Sequence, residues 1–249
     1  MTRALAATSA ALAVFTVLVV TGALTGVDNW AIDHVSPALN PYSDVGVVAL
    51  SGLWQPFGLD APWWDKIVDL FMYPASFVVS ALLVGVGCVV LLRRGARVPA
   101  LVWAGAWCAA NGAELVGKLG LTRPAVHWSN GPRPVHVLTF DNSYPSGHSA
   151  RGVVVAALLA YVFPRLRVAL AAWVVLVPAA LVVGGAHTLT DVVGGTTLGL
   201  LIVLAAHAMM REWTRLPIFS RVSNEASSGT PRRSSPTSPA GTSPSPTKT

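Results

Sequence analysis

Long apolar runs without charges, separated by short polar segments, dominate the pattern of this chain. The runs cover about residues 4–26, 71–92, 98–117, 146–164, 168–186 and 192–210. Each is close to the roughly 20 apolar residues with which a helix crosses a hydrocarbon core of ~30 Å. The pattern therefore predicts an all-α integral membrane protein, whose six transmembrane helices form a bundle within residues 1–215.

The polar segments around these runs differ in kind. The first run is 23 residues long, and we interpret it as a retained span, because the apolar region of a cleaved signal peptide has typically about 7–15 residues. Residues 27–70 mix prolines, tryptophans and six aspartates, which predicts an aqueous loop with pieces at the membrane interface and solvated acids. Residues 216–249 are rich in Ser, Thr, Pro and Arg and predict a disordered cytoplasmic tail.

Composition supports the membrane assignment. Charged residues make up 11% of the chain and hydrophobic residues 53%, whereas soluble domains carry about 25% charged residues. The net charge of +6 does not indicate nucleic acid, because the basic residues lie at the ends of apolar runs and in the tail. Cys88 and Cys108 lie inside apolar runs and are interpreted as small buried hydrophobes. No obligate protein partner is evident.

The distribution of basic residues predicts the orientation. If the spans alternate, most basic residues fall on one side of the membrane. The positive-inside rule makes this side cytoplasmic, together with both termini. These basic residues are Arg3, those within 93–97 and 165–167, and those from Arg211 onward. Lys118, Arg123 and Arg133 then lie on the outer, extracytoplasmic side, where the rule disfavours them. Binding of an anion there would be a local reason for their position.

Two histidine clusters are predicted to meet at that outer face. The segment Pro145-Ser146-Gly147-His148 opens a helix, so unpaired backbone N–H groups that attract an anion lie beside an imidazole. His187 and Asp191 are four residues apart, so on a helix the carboxylate can orient the ring and raise its nucleophilicity. An alternative stays open, in which Asp191 only caps a helix. Two spans and a short turn separate the clusters, which returns the chain to the same face.

Four charged residues lie near these clusters in the sequence. Lys118 and Arg123 lie at the end of the third span. They could be phosphate ligands, or basic side chains that only extend to the membrane interface. Glu114 lies four residues before Lys118 and could pair with it. Arg151 lies one turn into a span, where an unpaired charge is costly.

These segments together resemble the motifs of the type 2 phosphatidate phosphatase family, the lipid-phosphatase branch of a superfamily shared with vanadium haloperoxidases. The family pattern is a lysine, six residues and Arg-Pro, then Pro-Ser-Gly-His, then Ser-Arg, five residues, His, three residues and Asp. The second motif is complete at residues 145–148, and the third supplies His187 and Asp191. The similarity covers about residues 118–191.

The resemblance implies a mechanism that needs no metal or other cofactor. His187 would attack phosphorus and form a phosphohistidine, and Asp191 would orient it. His148 would protonate the leaving group and later activate water. The phosphoryl oxygens would be held by Lys118, Ser146 and Gly147.

Two departures from the family pattern concern arginines. Arg123-Pro124 comes two residues earlier than the first motif requires, so Arg123 as a phosphate ligand depends on the path of the loop. The Ser-Arg of the third motif is Ala180-Leu181. We expect Arg151 to replace the missing guanidinium, and Arg133 is a second candidate. The alternative for Arg151 is that it pairs with a carboxylate or a backbone carbonyl elsewhere in the bundle.

The sequence thus predicts a membrane lipid phosphatase acting on a lipid phosphomonoester or diphosphate at the outer face. Polyprenyl diphosphate, phosphatidate and phosphatidylglycerol phosphate are not distinguished, although an Ala- and Val-rich composition is typical of GC-rich bacteria, where a polyprenyl carrier would be a substrate. The rival hypothesis is a non-catalytic protein of the same fold that binds or transports lipid phosphate. It is motivated by the missing arginine at Leu181.

Overall fold

The computed structural model describes residues 2–35, 70–124, 126, 143–183 and 186–215. Within these residues all regular structure is helical, and the predicted all-α membrane class is confirmed. The α-helices are α1 (Thr2–Val20), α2 (Thr25–His34), α3 (Phe77–Arg93), α4 (Arg97–Gly120), α5 (Gly147–Val162), α6 (Arg167–Val183) and α7 (Leu189–Arg215). Short 3-10 helices lie at Tyr73–Ala75 and Pro164–Leu166.

Each predicted span corresponds to one helix, but the helices differ in length. Among the described residues, three segments are long and apolar enough to cross a membrane: Thr2–Val20, Pro164–Val183 and Leu189–Trp213. Phe77–Arg93 and Gly147–Val162 are shorter apolar helices. The outward faces carry large apolar side chains such as Val168 (84% exposed) and Leu101 (73% exposed), as expected of helices in contact with lipid. The number of six spans stays a prediction.

The largest difference from the predicted pattern lies after the first span. Helix α1 ends at Val20, six residues before the predicted boundary, and the chain turns at Gly22, whose φ of 78° favours glycine. Helix α2 follows inside the segment predicted as an aqueous loop. The expectation that the acids of this loop are solvated is wrong for Asp28, which is 1% exposed because it is held by an arginine and a helix N-terminus. Residues 36–69 and 216–249 lie outside the described residues.

Helix α5 forms the centre of the core. Val154, Val155 and Leu158 are fully buried, and they pack with Trp103 of α4 and residues of α3 and α7. A helix that is apolar on all sides is expected to be buried on all sides. A smaller core cluster joins Ala75 to α6 and the start of α7. The central position of α5 brings its N-terminus, with His148, to one end of the bundle.

Glycines of α7 allow it to approach the entry to α5 closely. A Cβ at Gly195 would collide with the Ser146 carbonyl, and one at Gly194 would collide with the ring of Tyr144. The backbone N–H of Ser146 also donates to the Asp191 carbonyl at 3.0 Å. Small residues let helix backbones pack this closely in membranes. The second and third sequence motifs are therefore in direct backbone contact.

We expect Gly195→Ala to lower the melting temperature of the protein in detergent. The added methyl group would force backbone apart, and overpacking of this kind costs about 1–3 kcal/mol. Gly105→Ala is the matched control, because Gly105 is an exposed residue within α4, where an added methyl group would point into open space. Thermal unfolding of both variants checks the prediction, and equal melting temperatures would contradict it.

Candidate active site

The two histidines predicted to act together lie side by side. His148 belongs to the first turn of α5 and His187 precedes α7 by two residues. Their ring centroids are 6.4 Å apart and the rings are tilted by 60°. Since a reacting atom lies roughly 3–3.5 Å from each group that acts on it, two rings at this separation can act on one phosphoryl group from two sides.

The turn before His148 is fixed by its own polar residues. Ser146 is the N-cap of α5, with extended backbone, and its Oγ accepts a hydrogen bond from the Ser149 N–H at 3.4 Å. Serine is favoured at this position because its oxygen satisfies one of the unpaired N–H groups of the first turn. Ser146 is fully buried, and Gly147 is buried beside it. His148 is thereby placed at the helix N-terminus, as the sequence predicts.

His187 faces the carboxylate of Asp191. The distance from His187 Nδ1 to Asp191 Oδ2 is 3.4 Å, and the same oxygen accepts the Thr188 N–H at 3.0 Å. The Thr188 hydroxyl in turn accepts the Asp191 N–H at 3.3 Å, so Thr188 and Asp191 cap the start of α7 reciprocally. The two interpretations left open by the sequence are therefore compatible: Asp191 caps the helix and also orients His187.

A cluster of three charges lies beside His148. Glu114 Oε1 accepts a hydrogen bond from Lys118 Nζ at 2.7 Å, the pair expected from their spacing, and Glu114 Oε2 is bound by the Arg151 guanidinium. The charges of Lys118 and Arg151 also act on the His148 ring. With one carboxylate against two cations, the cluster carries a net charge of +1 (−1 + 1 + 1). An excess positive charge next to the histidines favours an anionic substrate group.

The carboxylate of Glu114 lies against the N-terminus of α5. There is no room for a Cβ at Gly147, because the Glu114 carboxyl group lies directly over this glycine. Helix N-termini attract anions through their unpaired N–H groups and dipole. In this structure the Glu114 carboxylate therefore occupies the anion site that the sequence predicts at the N-terminus of α5.

Arg151 is paired within the bundle, as the alternative interpretation of this residue predicts. Its side chain is 6% exposed and donates to the Ala75 carbonyl at 3.0 Å and the Asn111 amide oxygen at 3.0 Å, in addition to Glu114. Leu181, at the position of the family arginine, is a core residue in the same cluster as Ala75. Arg151 therefore brings a guanidinium from α5 to the flank of the group that contains Leu181. Its role as a phosphate ligand stays a prediction.

Arg123 contacts Asp191, the partner of His187, and is held by two carboxylates. Its NH1 donates to Asp191 Oδ1 at 2.8 Å, and its NH2 donates to Asp28 Oδ2 at 2.5 Å. Both terminal nitrogens of Arg123 are occupied by acids in this structure, and its role as a phosphate ligand stays a prediction. Sequence reasoning missed Asp28 as a member of the site. Arg133, the second candidate for the missing arginine, lies outside the described residues.

Tyr144 links the site to α1. Its hydroxyl is hydrogen-bonded to Thr16 Oγ1 at 2.8 Å. Burial raises the pKa of Tyr144 above its ordinary value, so the phenol is neutral at physiological pH.

Among the described residues, no three His, Cys, Asp or Glu side chains are grouped as a metal ion would require.

We expect Glu114→Gln to strengthen binding of inorganic phosphate. The amide keeps hydrogen-bonding capacity but removes the negative charge that Lys118 and Arg151 share, so the net charge of the cluster rises from +1 to +2. We expect the phosphate Kd to fall on the order of tenfold, which corresponds to about 1.4 kcal/mol.

Isothermal titration of the purified protein with inorganic phosphate measures this change. Asp33→Asn, an exposed acid of α2, is the control for a general loss of negative charge. Unchanged or weaker phosphate binding by Glu114→Gln would contradict the assignment of this cluster to anion binding.

Comparisons with known proteins found a family match and a similar fold. Residues 99–215, which contain both histidines, match the family described as PAP2 superfamily. No curated protein matches the chain significantly. The fold is similar to the crystal structure of the first transmembrane PAP2 type phosphatidylglycerolphosphate phosphatase from Bacillus subtilis, with a TM-score of 0.56 and 20% identity. That match covers 84% of this chain and 96% of the other.

The protein is thus a helical membrane protein with a histidine-based site at one end of its bundle. Over residues 99–215 it is similar to the type 2 phosphatidate phosphatase-like family. The similarity indicated by the sequence motifs is confirmed.

Proposed function

We propose that this protein is a lipid phosphatase that hydrolyses a phosphomonoester or diphosphate through a phosphohistidine. The observation that carries the proposal is the pairing of His148 with the His187–Asp191 couple, with ring centroids 6.4 Å apart. The match of residues 99–215 to the PAP2 superfamily supports the same reaction class.

In the first step His187 attacks phosphorus. Its Nδ1 faces Asp191, which leaves Nε2 as the nitrogen that bonds to phosphorus. The bond from phosphorus to the lipid oxygen, or to the bridging oxygen of a diphosphate, breaks as His148 donates a proton to that oxygen. Asp191 stabilises the positive charge that develops on the His187 ring.

In the second step water replaces the enzyme on phosphorus. His148, which has given up its proton, now accepts one from the attacking water. The bond between phosphorus and His187 breaks, and inorganic phosphate leaves with the original proton balance restored. One imidazole thus acts as nucleophile and the other as acid and then base.

The phosphoryl oxygens are held by groups of the first and second motifs and by Arg151. The proposed ligands are the side chains of Lys118, Ser146 and Arg151 and the backbone at Gly147. Glu114 occupies Lys118 and Arg151 in the present structure, so a bound phosphate would share or take over these cations.

An apolar groove next to the site supports a lipid substrate. It has a volume of about 390 Å³ and borders on Tyr144 and Pro145, the residues just before the His148 turn. Its walls come from α1, α4 and α7, with Leu12, Val116 and Leu198 among the lining side chains. A headgroup at the histidines would leave its hydrocarbon chain in this groove. Polyprenyl diphosphate, phosphatidate and phosphatidylglycerol phosphate all meet this requirement.

Release of phosphate tests the proposal. Purified protein in detergent is supplied in turn with phosphatidate, phosphatidylglycerol phosphate, diacylglycerol diphosphate and a polyprenyl diphosphate, and inorganic phosphate is measured. Turnover of at least one lipid supports the proposal. The proposal also places the site at the outer face with both termini in the cytoplasm, so intact cells should hydrolyse an added substrate that cannot cross the membrane.

The rival function is binding or transport of lipid phosphate without hydrolysis. It is favoured by one observation, the core leucine at position 181 in place of the family arginine. Saturable binding of these lipids without phosphate release from any of them would support the rival and overturn the phosphatase.

A further inference from the structure

Asp28 is a buried acid that the proposed mechanism does not use. It lies in the first turn of α2 and is 1% exposed. Its Oδ1 accepts the Thr190 N–H at 2.9 Å, and its Oδ2 accepts the Thr190 hydroxyl at 2.7 Å and Arg123 NH2 at 2.5 Å. A carboxylate removed from water keeps its charge only when it is paired and hydrogen-bonded in this way.

Arg123 connects Asp28 to the catalytic couple. Its NH1 donates to Asp191 Oδ1 at 2.8 Å and to the Thr188 hydroxyl at 3.0 Å. The other oxygen of Asp191 faces His187 Nδ1. The contacts from Asp28 through Arg123 and Asp191 to His187 are therefore continuous. They join α2, the segment after α4 and the start of α7.

The charges of Asp28, Arg123 and Asp191 explain why two acids are present. Arg123 with Asp191 alone would be neutral, whereas Arg123 with Asp191 and Asp28 carries a net charge of −1 (+1 − 1 − 1). A net negative charge next to His187 Nδ1 stabilises the positive charge that the ring develops when Nε2 attacks. A neutral pair would provide much less of this stabilisation, because Arg123 would cancel the charge of Asp191.

We propose that Asp28 and Arg123 are positioning residues for His187, which act through Asp191. Arg123 fixes one carboxylate oxygen of Asp191 so that the other faces the ring, and Asp28 offsets the charge of Arg123. This inference rests on the proposed phosphohistidine chemistry, in which His187 is the nucleophile. Helix α2 thereby contributes to the positioning of His187, although it lies outside the matched residues 99–215.

A charge-balance cycle tests the proposal. The variants are Asp28→Asn, Arg123→Gln and the double variant, which keep hydrogen-bonding groups at both positions. Asp28→Asn makes the cluster neutral, and Arg123→Gln leaves two buried carboxylates without the cation that both contact. We expect kcat to fall about 10- to 100-fold in each single variant, the range found for groups that orient metal-ligating side chains, with little change in KM. The double variant restores a net charge of −1, so we expect it to regain at least tenfold over the Asp28→Asn single variant.

A purely structural role of Asp28 and Arg123 predicts a different result. If Asp28 and Arg123 only tie α2 to α7, the double variant would be no more active than the worse single variant. Melting temperatures would then fall in parallel with activity. Asp33→Asn, at an exposed position of the same helix, is the matched control and should keep wild-type kcat and KM.

Chemical reactivity of His187 gives a readout that does not need turnover. Carbethoxylation by diethyl pyrocarbonate, followed for the His187 peptide by mass spectrometry, reports the nucleophilicity of the ring. We expect Asp28→Asn to slow it on the order of tenfold and the double variant to restore it. Wild-type reactivity of His187 in Asp28→Asn would overturn the proposal. If this pattern holds while the wild type releases no phosphate from any lipid, the phosphatase function fails but the positioning role stands.

Discussion

His187→Gln is expected to abolish phosphate release and formation of the phosphoenzyme. The amide keeps a polar group beside Asp191 but cannot form the covalent bond to phosphorus. Loss of a covalent nucleophile lowers kcat on the order of 10⁴–10⁶-fold, with the remainder due to binding and electrostatic stabilisation alone. Substrate binding should persist, since Lys118, Ser146 and Arg151 are untouched.

Two measurements check this result. Phosphate release is followed with the lipid that the wild type hydrolyses best, and rapid acid-free quenching with radiolabelled substrate traps the enzyme-bound phosphate. Phosphohistidine is labile in acid and stable in alkali, which separates it from phosphoserine. His34→Gln is the matched control, because His34 is exposed on α2 and hydrogen-bonds locally, to the Trp30 carbonyl at 2.9 Å. A labelled phosphoenzyme in His187→Gln would show that another residue is the nucleophile.

The helices of this protein could be predicted because lipid leaves the backbone few choices. A chain in hydrocarbon must satisfy its N–H and C=O groups internally, so an apolar run becomes a helix. The ends of the helices are less predictable, because they depend on polar contacts that the apolar pattern does not contain. Helix α1 stops at Val20 although the run continues to residue 26, since a turn at Gly22 brings Asp28 towards the start of α7.

The pair of histidines could be predicted for a related reason. His148 is placed by a local N-cap, His187 by a local spacing to Asp191, and one helical hairpin of α5 and α6 returns the chain to the same end. Each step depends on neighbours in sequence. The sequence therefore contains enough information to bring the two rings together, and the 6.4 Å separation of their centroids agrees with that expectation.

The partners of the basic residues could not be predicted in the same way. Asp28 and Arg123 are 95 residues apart in sequence, and their contact depends on the path of two helices. One signal did exist: the predicted topology puts Lys118 and Arg123 on the side where basic residues are disfavoured, so an anion was expected nearby. The structure supplies carboxylates of the protein, Glu114 for Lys118 and Asp28 with Asp191 for Arg123.

The two ion clusters give the site opposite charges on its two sides. The cluster of Lys118, Arg151 and Glu114 has a net charge of +1 next to His148. The cluster of Arg123, Asp28 and Asp191 has a net charge of −1 next to His187. A phosphoryl group is attracted by the first cluster, while the second favours positive charge on the attacking ring. This asymmetry supports His187 as the nucleophile.

His148→Gln is expected to separate the two steps of the reaction. With a lipid substrate both steps need His148, as acid for the poor leaving group and as base for water, and we expect kcat to fall about 10²–10⁴-fold. An aryl phosphate such as p-nitrophenyl phosphate has a leaving group that needs no proton. Attack by His187 should then proceed, and the phosphoenzyme should accumulate because its hydrolysis still lacks a base.

Stopped-flow measurement of nitrophenolate checks this expectation. His148→Gln should release a burst of about one nitrophenolate per enzyme and then turn over slowly, as expected for a covalent intermediate that accumulates. His207→Gln is the control for loss of a packed ring, since His207 lies edge-on against Trp103 at 5.6 Å, and it should show no burst beyond that of the wild type. If His148→Gln loses the lipid and aryl activities equally and without a burst, His148 holds the phosphate instead of transferring protons, and the base for the second step must be sought elsewhere.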